Sequence, residues 1–133
     1  MYWHESHAQV FALLRDIAEM SSVITCFGYD DACHFAPWVK SHLANSEDPT
    51  AQRIVRDFDF FIDKFHFRGH TDPNCRATYD PHTRPYVQAL NTSNVEILWH
   101  WLNRYGHIVR HMHSARAELL LTHMCMLRNT VPL

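Results

Sequence analysis

Apolar residues recur at helical spacing early in the chain. In "SHAQVFALLRDIAEM", Val10, Leu13, Leu14 and Ile17 fall on one stripe, and Ser6 followed by Gln9 is the reciprocal capping box that starts a helix. The next run, "SSVITCFGYD", is compact, partly β-branched and closed by Gly28, which predicts a buried strand delivering Asp30 at or just beyond its carboxyl end. "APWVKSHLAN" and "DPTAQRIVRDF" predict helices with Pro37 and Pro49 near their first turns, where a missing amide hydrogen bond costs nothing, separated by the loop "NSEDP". "DFDFFIDKFHF" alternates aromatic and polar residues over part of its length and predicts a second strand. From Arg68 to Ala89, Pro, His, Asp, Asn and Thr accumulate with little apolar periodicity, which predicts one long loop. Two helices follow, Ser93 to Tyr105 and Ser114 to Arg128, divided near Gly106. Leu98, Trp99, Trp101 and Leu102 read as core in the first, and Leu119, Leu120, Met124 and Leu127 in the second.

With no repeat and no clear linker, a chain of 133 residues predicts a single α/β domain over 1–133. A few-stranded sheet flanked by helices would be followed by a helical carboxyl-terminal half. A hydrophobic fraction of 47% against 20% charged excludes a disordered tail. The formal charge of -2 provides no global basic field of the kind that marks a nucleic-acid binder, and the 12 histidines add positive charge only in mildly acidic conditions. Cys26, Cys33, Cys75 and Cys125 are scattered, and "MYWHESHAQVF" has no basic-plus-apolar leader, which points to reduced, buried or metal-bound thiols in an intracellular protein. No apolar run reaches the roughly 18 residues that span a bilayer, so no membrane partner is expected.

Three segments in order, "YDDACH" (Tyr29 to His34), "FFIDKFHFRGH" (Phe60 to His70) and "NTSNVEILWHWLN" (Asn91 to Asn103), with "RHMHSARAELL" (Arg110 to Leu120) beyond them, resemble the catalytic half of the Kyakuja/Dileera/Zisupton (KDZ) transposases. The resemblance implies a partial RNase H-like fold of the DDE type, in which a mixed sheet carries two aspartates and a helix carries a third acid. Such carboxylates hold two Mg2+ or Mn2+ ions that activate water or a 3'-hydroxyl for displacement at DNA phosphorus. A eukaryotic member would work in the nucleus.

Under this resemblance Asp30 matches the second aspartate and is a metal ligand; on its own, Asp30 or Asp31 equally suits capping of the following helix. The first aspartate should lie on a strand upstream of Ser6, so an amino-terminally truncated core is expected. The slot of the third acid is filled by Ser93. Glu96, one turn on, is either the acidic member of a Ser93/Glu96 capping box or a weak substitute ligand. The expectation is a catalytically degenerate transposase-like protein that cleaves nothing alone, with DNA and a full-length transposase or another copy of the same chain as partners.

A different class of function rests on other residues. His66, His70 and Cys75 form a His-x-x-x-His-x-x-x-x-Cys array, and Cys33 or His34 would complete a tetrahedral site for a structural Zn2+. The chain would then be a non-enzymatic zinc-stabilised DNA-binding or protein-interaction module. The plainer reading makes Cys33 a core thiol and His66 a hydrogen-bonded residue near the sheet. His107, His111 and His113 lie among Arg104, Arg110 and Arg116 and read as a solvated basic face suited to DNA phosphates.

Overall fold

The computed structural model describes residues 6–130; the segment 1–5, read above for a leader and an upstream strand, lies outside them. The chain forms two compact units, one ending at Thr92 and one beginning at Ser93.

Helix α1 (His7–Met20) starts as its sequence predicts. The Ser6 hydroxyl accepts from the Gln9 amide at 3.3 Å, and Gln9 Oε1 accepts from the Ser6 amide at 3.0 Å. Its inward stripe is Val10, Leu14 and Ala18, whereas Leu13 and Ile17 are 61% and 37% exposed. Strands β1 (Cys26–Gly28) and β2 (Asp59–Phe61) are shorter than the apolar runs that predict them, and they pair in parallel with Cys26 opposite Asp59, Phe27 opposite Phe60 and Gly28 opposite Phe61. Parallel strands need a long crossover. Helices α2 (Ala32–Leu43) and α3 (Pro49–Asp57) provide it.

Helix α2 begins before the predicted "APWVKSHLAN", so Pro37 lies inside it rather than in its first turn. Pro37 is exposed, which leaves the missing amide bond on the solvent side. Helix α3 follows prediction: Asp48 Oδ1 accepts from the Thr50 amide at 2.9 Å, with Pro49 in the first turn.

The predicted loop from Arg68 to Ala89 is corrected by the structure. It contains α4 (Pro73–Tyr79), a 3-10 turn (Pro81–Thr83) and α5 (Pro85–Gln88). The code is the one that starts α3: Asp72 accepts from the Asn74 amide at 3.1 Å and Asp80 from the His82 amide at 2.8 Å, each followed by proline.

Phe35 is fully buried between the helices and the sheet, its ring centroid 5.5 Å from that of Tyr29, 5.8 Å from those of Phe27 and Phe60, and 6.3 Å from that of Trp38. Tilted, edge-on and stacked aromatic packing of this kind adds to the stabilisation from burial itself. A second, smaller cluster of Ala32, Ile62, Phe67 and Cys75 lies just past the strand ends. That cluster floors the candidate site.

The second unit holds α6 (Asn94–Asn103), α7 (Gly106–Val109) and α8 (Ser114–Thr130). None of its described side chains is fully buried. Trp99, Leu119 and Leu127, predicted as core, are 58%, 72% and 49% exposed, while Leu98, Trp101, Leu102, Leu120 and Met124 are half-buried. A unit this small has too little volume to enclose its apolar residues. The leucines and methionines of α8 also spread around the helix rather than along one stripe.

The described residues form an α/β fold, the class expected, mostly helical with one small parallel sheet. No helix among the described residues is long and apolar enough to cross a membrane.

Candidate metal centre

Strand β1 ends at Gly28, where a Cβ would come within 2.7 Å of the Phe61 ring. The Tyr29 amide donates to the Phe61 carbonyl at 2.9 Å, and the chain then turns through Asp30 and Asp31 into α2. Asp30 is exposed at the carboxyl end of β1, where the sequence predicts it, and its Oδ1 accepts from the Asp31 amide at 2.8 Å. Asp31 occupies the cap position of α2 without making a capping bond. Its carboxylate is spent on His7 Nε2, at 3.0 Å, and on His34 Nδ1. Burial opposes ionisation of Asp31, but the hydrogen bonds from His34 and His7 outweigh it and hold the carboxyl below its ordinary 3.8.

The segment after β2 faces this turn. The Ile62 amide donates to the Tyr79 carbonyl at 3.0 Å, which fastens α4 to the strand end. Asp63 Oδ1 accepts from the amides of Phe65 and His66 at 2.9 and 3.1 Å, and its Oδ2 lies 2.5 Å from His66 Nδ1. The 3-10 turn His66–Gly69 then delivers His70. A carbonyl oxygen only accepts, so His70 Nε2, 3.0 Å from the Asp30 carbonyl, carries the proton. Its bare Nδ1 faces two thiols, 3.2 Å from Cys75 Sγ and 3.8 Å from Cys33 Sγ.

The ligand atoms of Cys33, His70 and Cys75 all lie within 4.8 Å of one another. Cys33 sits in the first turn of α2, His70 just past the 3-10 turn and Cys75 in α4. Cys75 is buried, and its thiol is pushed up to about 12, first by burial and then by the neighbouring Cys33. A bound divalent cation reverses that preference, because it stabilises the thiolate directly. Arg76 holds the approach: its Nη1 donates to the His70 carbonyl at 2.8 Å while its guanidinium lies 4.5 Å from the centre of the Phe67 ring.

Of the four zinc ligands read from sequence, the structure brings three together. His66 is turned to Asp63 and lies outside the group, although it lines a shallow open depression with Asp30, Asp31, Gly69 and His70. Asp31, Cys33 and His34 form a second group that shares Cys33. Nothing in the sequence places Asp31 or Arg76 at this centre; Asp31 reads there only as a helix cap, and Arg76 carries no signal beyond its charge.

The acids gather less. Among the described residues of the first unit, no group contains three carboxylates within the same reach. In the second unit Ser93 stands at the cap of α6 with φ -82° and ψ 2°, and its side chain makes no capping hydrogen bond, so the Ser93 half of the predicted capping box with Glu96 is not formed. Glu96 remains in the first turn, near the positive end of the helix dipole, and lines a groove with Trp101, Arg104 and Arg128. The Arg128 guanidinium lies 5.0 Å from the centre of the Trp101 ring. His107 is in α7 while His111 and His113 lie past its end, so they share no helical face. Charge divides unevenly along the chain. From Ser93 onward four arginines face two glutamates, against eight lysines and arginines and twelve acids before it.

No curated protein and no solved structure matches the chain. The model of the Kyakuja-Dileera-Zisupton transposase family matches residues 4–129, a span that takes in the Asp30 turn, the thiol and imidazole cluster and the helices of the second unit. The chain therefore belongs to the KDZ transposase family.

Proposed function

We propose that the chain is a transposase-derived domain of RNase H-like descent that engages DNA through its basic carboxyl-terminal unit and does not cleave DNA by itself. The observation that carries this reading is the poverty of acids around Asp30. Of the two acids just past the carboxyl end of β1, Asp30 and Asp31, the second is taken up by His7 and His34; no three carboxylates gather among the described residues of the first unit, and under the family resemblance Ser93 fills the slot of the third acid. Two adjacent divalent cations need several anionic oxygens to offset their mutual repulsion, and a serine hydroxyl is neutral. The described residues of the first unit therefore do not by themselves fit a resident pair of Mg2+ or Mn2+ ions.

On this reading Asp30 is the retained position of a metal-binding aspartate. Cleavage would require further carboxylates from a partner, either a full-length transposase or a second copy of the chain. DNA contact falls to Arg104, Arg110 and Arg116, because phosphate binding needs only exposed cations and the released counterions supply the driving force.

Fluorescence anisotropy of a labelled DNA duplex tests the binding half. The expected result is association at low ionic strength that weakens steeply with added salt. Absence of binding at low salt by the folded chain would overturn it.

A further inference from the structure

We propose that Cys33, His70 and Cys75 bind one zinc ion, with the fourth position taken from the adjacent pair Asp31 and His34, and that this ion locks the turn carrying Asp30. The inference is independent of any DNA activity, since it rests only on the donor set.

Two thiols and an imidazole nitrogen are soft to borderline donors, which favour zinc over the hard cations of a phosphoryl-transfer site. The geometry is close to what the ion requires. Tetrahedral bonds of about 2.3 Å to sulfur and about 2.0 Å to nitrogen place sulfur and nitrogen about 3.6 Å apart, and the two separations here, 3.2 and 3.8 Å, bracket that value. His34 Nδ1 is 3.7 Å from Cys33 Sγ, so a donor for the fourth position lies at the same edge.

The imidazole is also prepared for coordination. Donation of Nε2–H to the Asp30 carbonyl fixes the tautomer that leaves Nδ1 free of a proton, the outer-shell arrangement that orients metal-binding histidines. Metal binding would convert both thiols to thiolates and release two protons to solvent. The ion would cross-link the start of α2 to the end of the 3-10 turn, 37 residues on, and to α4 just beyond it. Through His70 it would fix the backbone of Asp30 itself. His66, held by Asp63, would have no part in it.

The test uses the full chain, purified without chelator, then stripped and reloaded with zinc or cobalt(II). The expected results are about one zinc per chain and a cobalt spectrum with intense tetrahedral bands and a thiolate charge-transfer band. His70→Asn should lower bound zinc at least tenfold while His66→Asn retains it. Chelation should speed amide exchange at least tenfold in both 30–35 and 66–76. A folded chain that takes up no zinc, a weak octahedral cobalt spectrum without a thiolate band, or equal zinc loss in His66→Asn and His70→Asn would overturn the proposal. The cobalt spectrum needs no substitution, so it decides even where a variant fails to fold.

Discussion

Arg84 clasps Asp59 with two parallel bonds, Nε to Oδ2 at 2.6 Å and Nη2 to Oδ1 at 2.8 Å. The same guanidinium donates to the carbonyls of Asp80, Phe60 and Thr78 at 2.7, 3.1 and 3.2 Å, and the Tyr86 hydroxyl adds a further bond to Asp59. One side chain thus fastens the proline-rich segment between α4 and α5 to the first residue of β2. This is how a stretch with little apolar periodicity stays on the sheet.

The pair makes stability depend on acid. The Arg84 hydrogen bonds hold the Asp59 carboxyl below its ordinary 3.8, against the opposing effect of burial. A depressed folded value contributes stability that is fully present above the unfolded value and is lost as pH falls through the folded one. Asp59→Asn should therefore lower stability at neutral pH by about 1 kcal/mol, a modest figure because Asp59 is 42% exposed. Denaturant titrations across pH should show the gap to the unsubstituted chain closing as pH drops below 3.8.

Gly28 is required by the sheet rather than by its backbone angles. A methyl group there would meet the buried Phe61 ring at 2.7 and 2.8 Å. Gly28→Ala should destabilise the first unit by about 1–3 kcal/mol, the usual range for overpacking. Phe61→Leu in the same chain should recover part of the loss, and a double-mutant cycle in urea checks the coupling.

Arg76 is a positioning residue for the proposed zinc. Arg76→Ala releases the main-chain carbonyl of His70 rather than its imidazole, and should weaken zinc affinity by about tenfold, the low end for loss of an outer-shell partner. The cobalt spectrum at saturation should keep its thiolate band, because both thiols remain. Competition with a chromogenic chelator measures the affinity, and an unchanged value would remove Arg76 from this role.

Replacing Arg104, Arg110 and Arg116 together by alanine should weaken DNA binding at every sequence and reduce the slope of log affinity against log salt by up to about 3, one for each phosphate no longer neutralised. Anisotropy at several salt concentrations provides both quantities.

Much of this architecture is legible where local chemistry decides. The Ser6 and Gln9 capping box, the Asp48 and Pro49 helix start and the delivery of Asp30 past β1 all follow from neighbours within a few residues. Asp72 with Pro73 and Asp80 with Pro81 carry the same start signal, but the helices behind them are too short to show an apolar stripe, so the segment reads as loop. Pro37 misleads for a tertiary reason: Ala32, Phe35, Ala36 and Val39 bury one face of α2 and hold it through the proline. At the site, the array spacing points to His66, His70 and Cys75, with Cys33 or His34 as the fourth donor. Only the fold shows that Asp63 captures His66 and that the Asp30 carbonyl selects the tautomer of His70.

The central claim, that a KDZ-family chain keeps the strand-end aspartate without a working two-cation site, is tested most directly by nicking of supercoiled plasmid in Mn2+. The account predicts no cleavage by the purified chain above the level of its Asp30→Ala variant. Metal-dependent nicking that Asp30→Ala abolishes would contradict it.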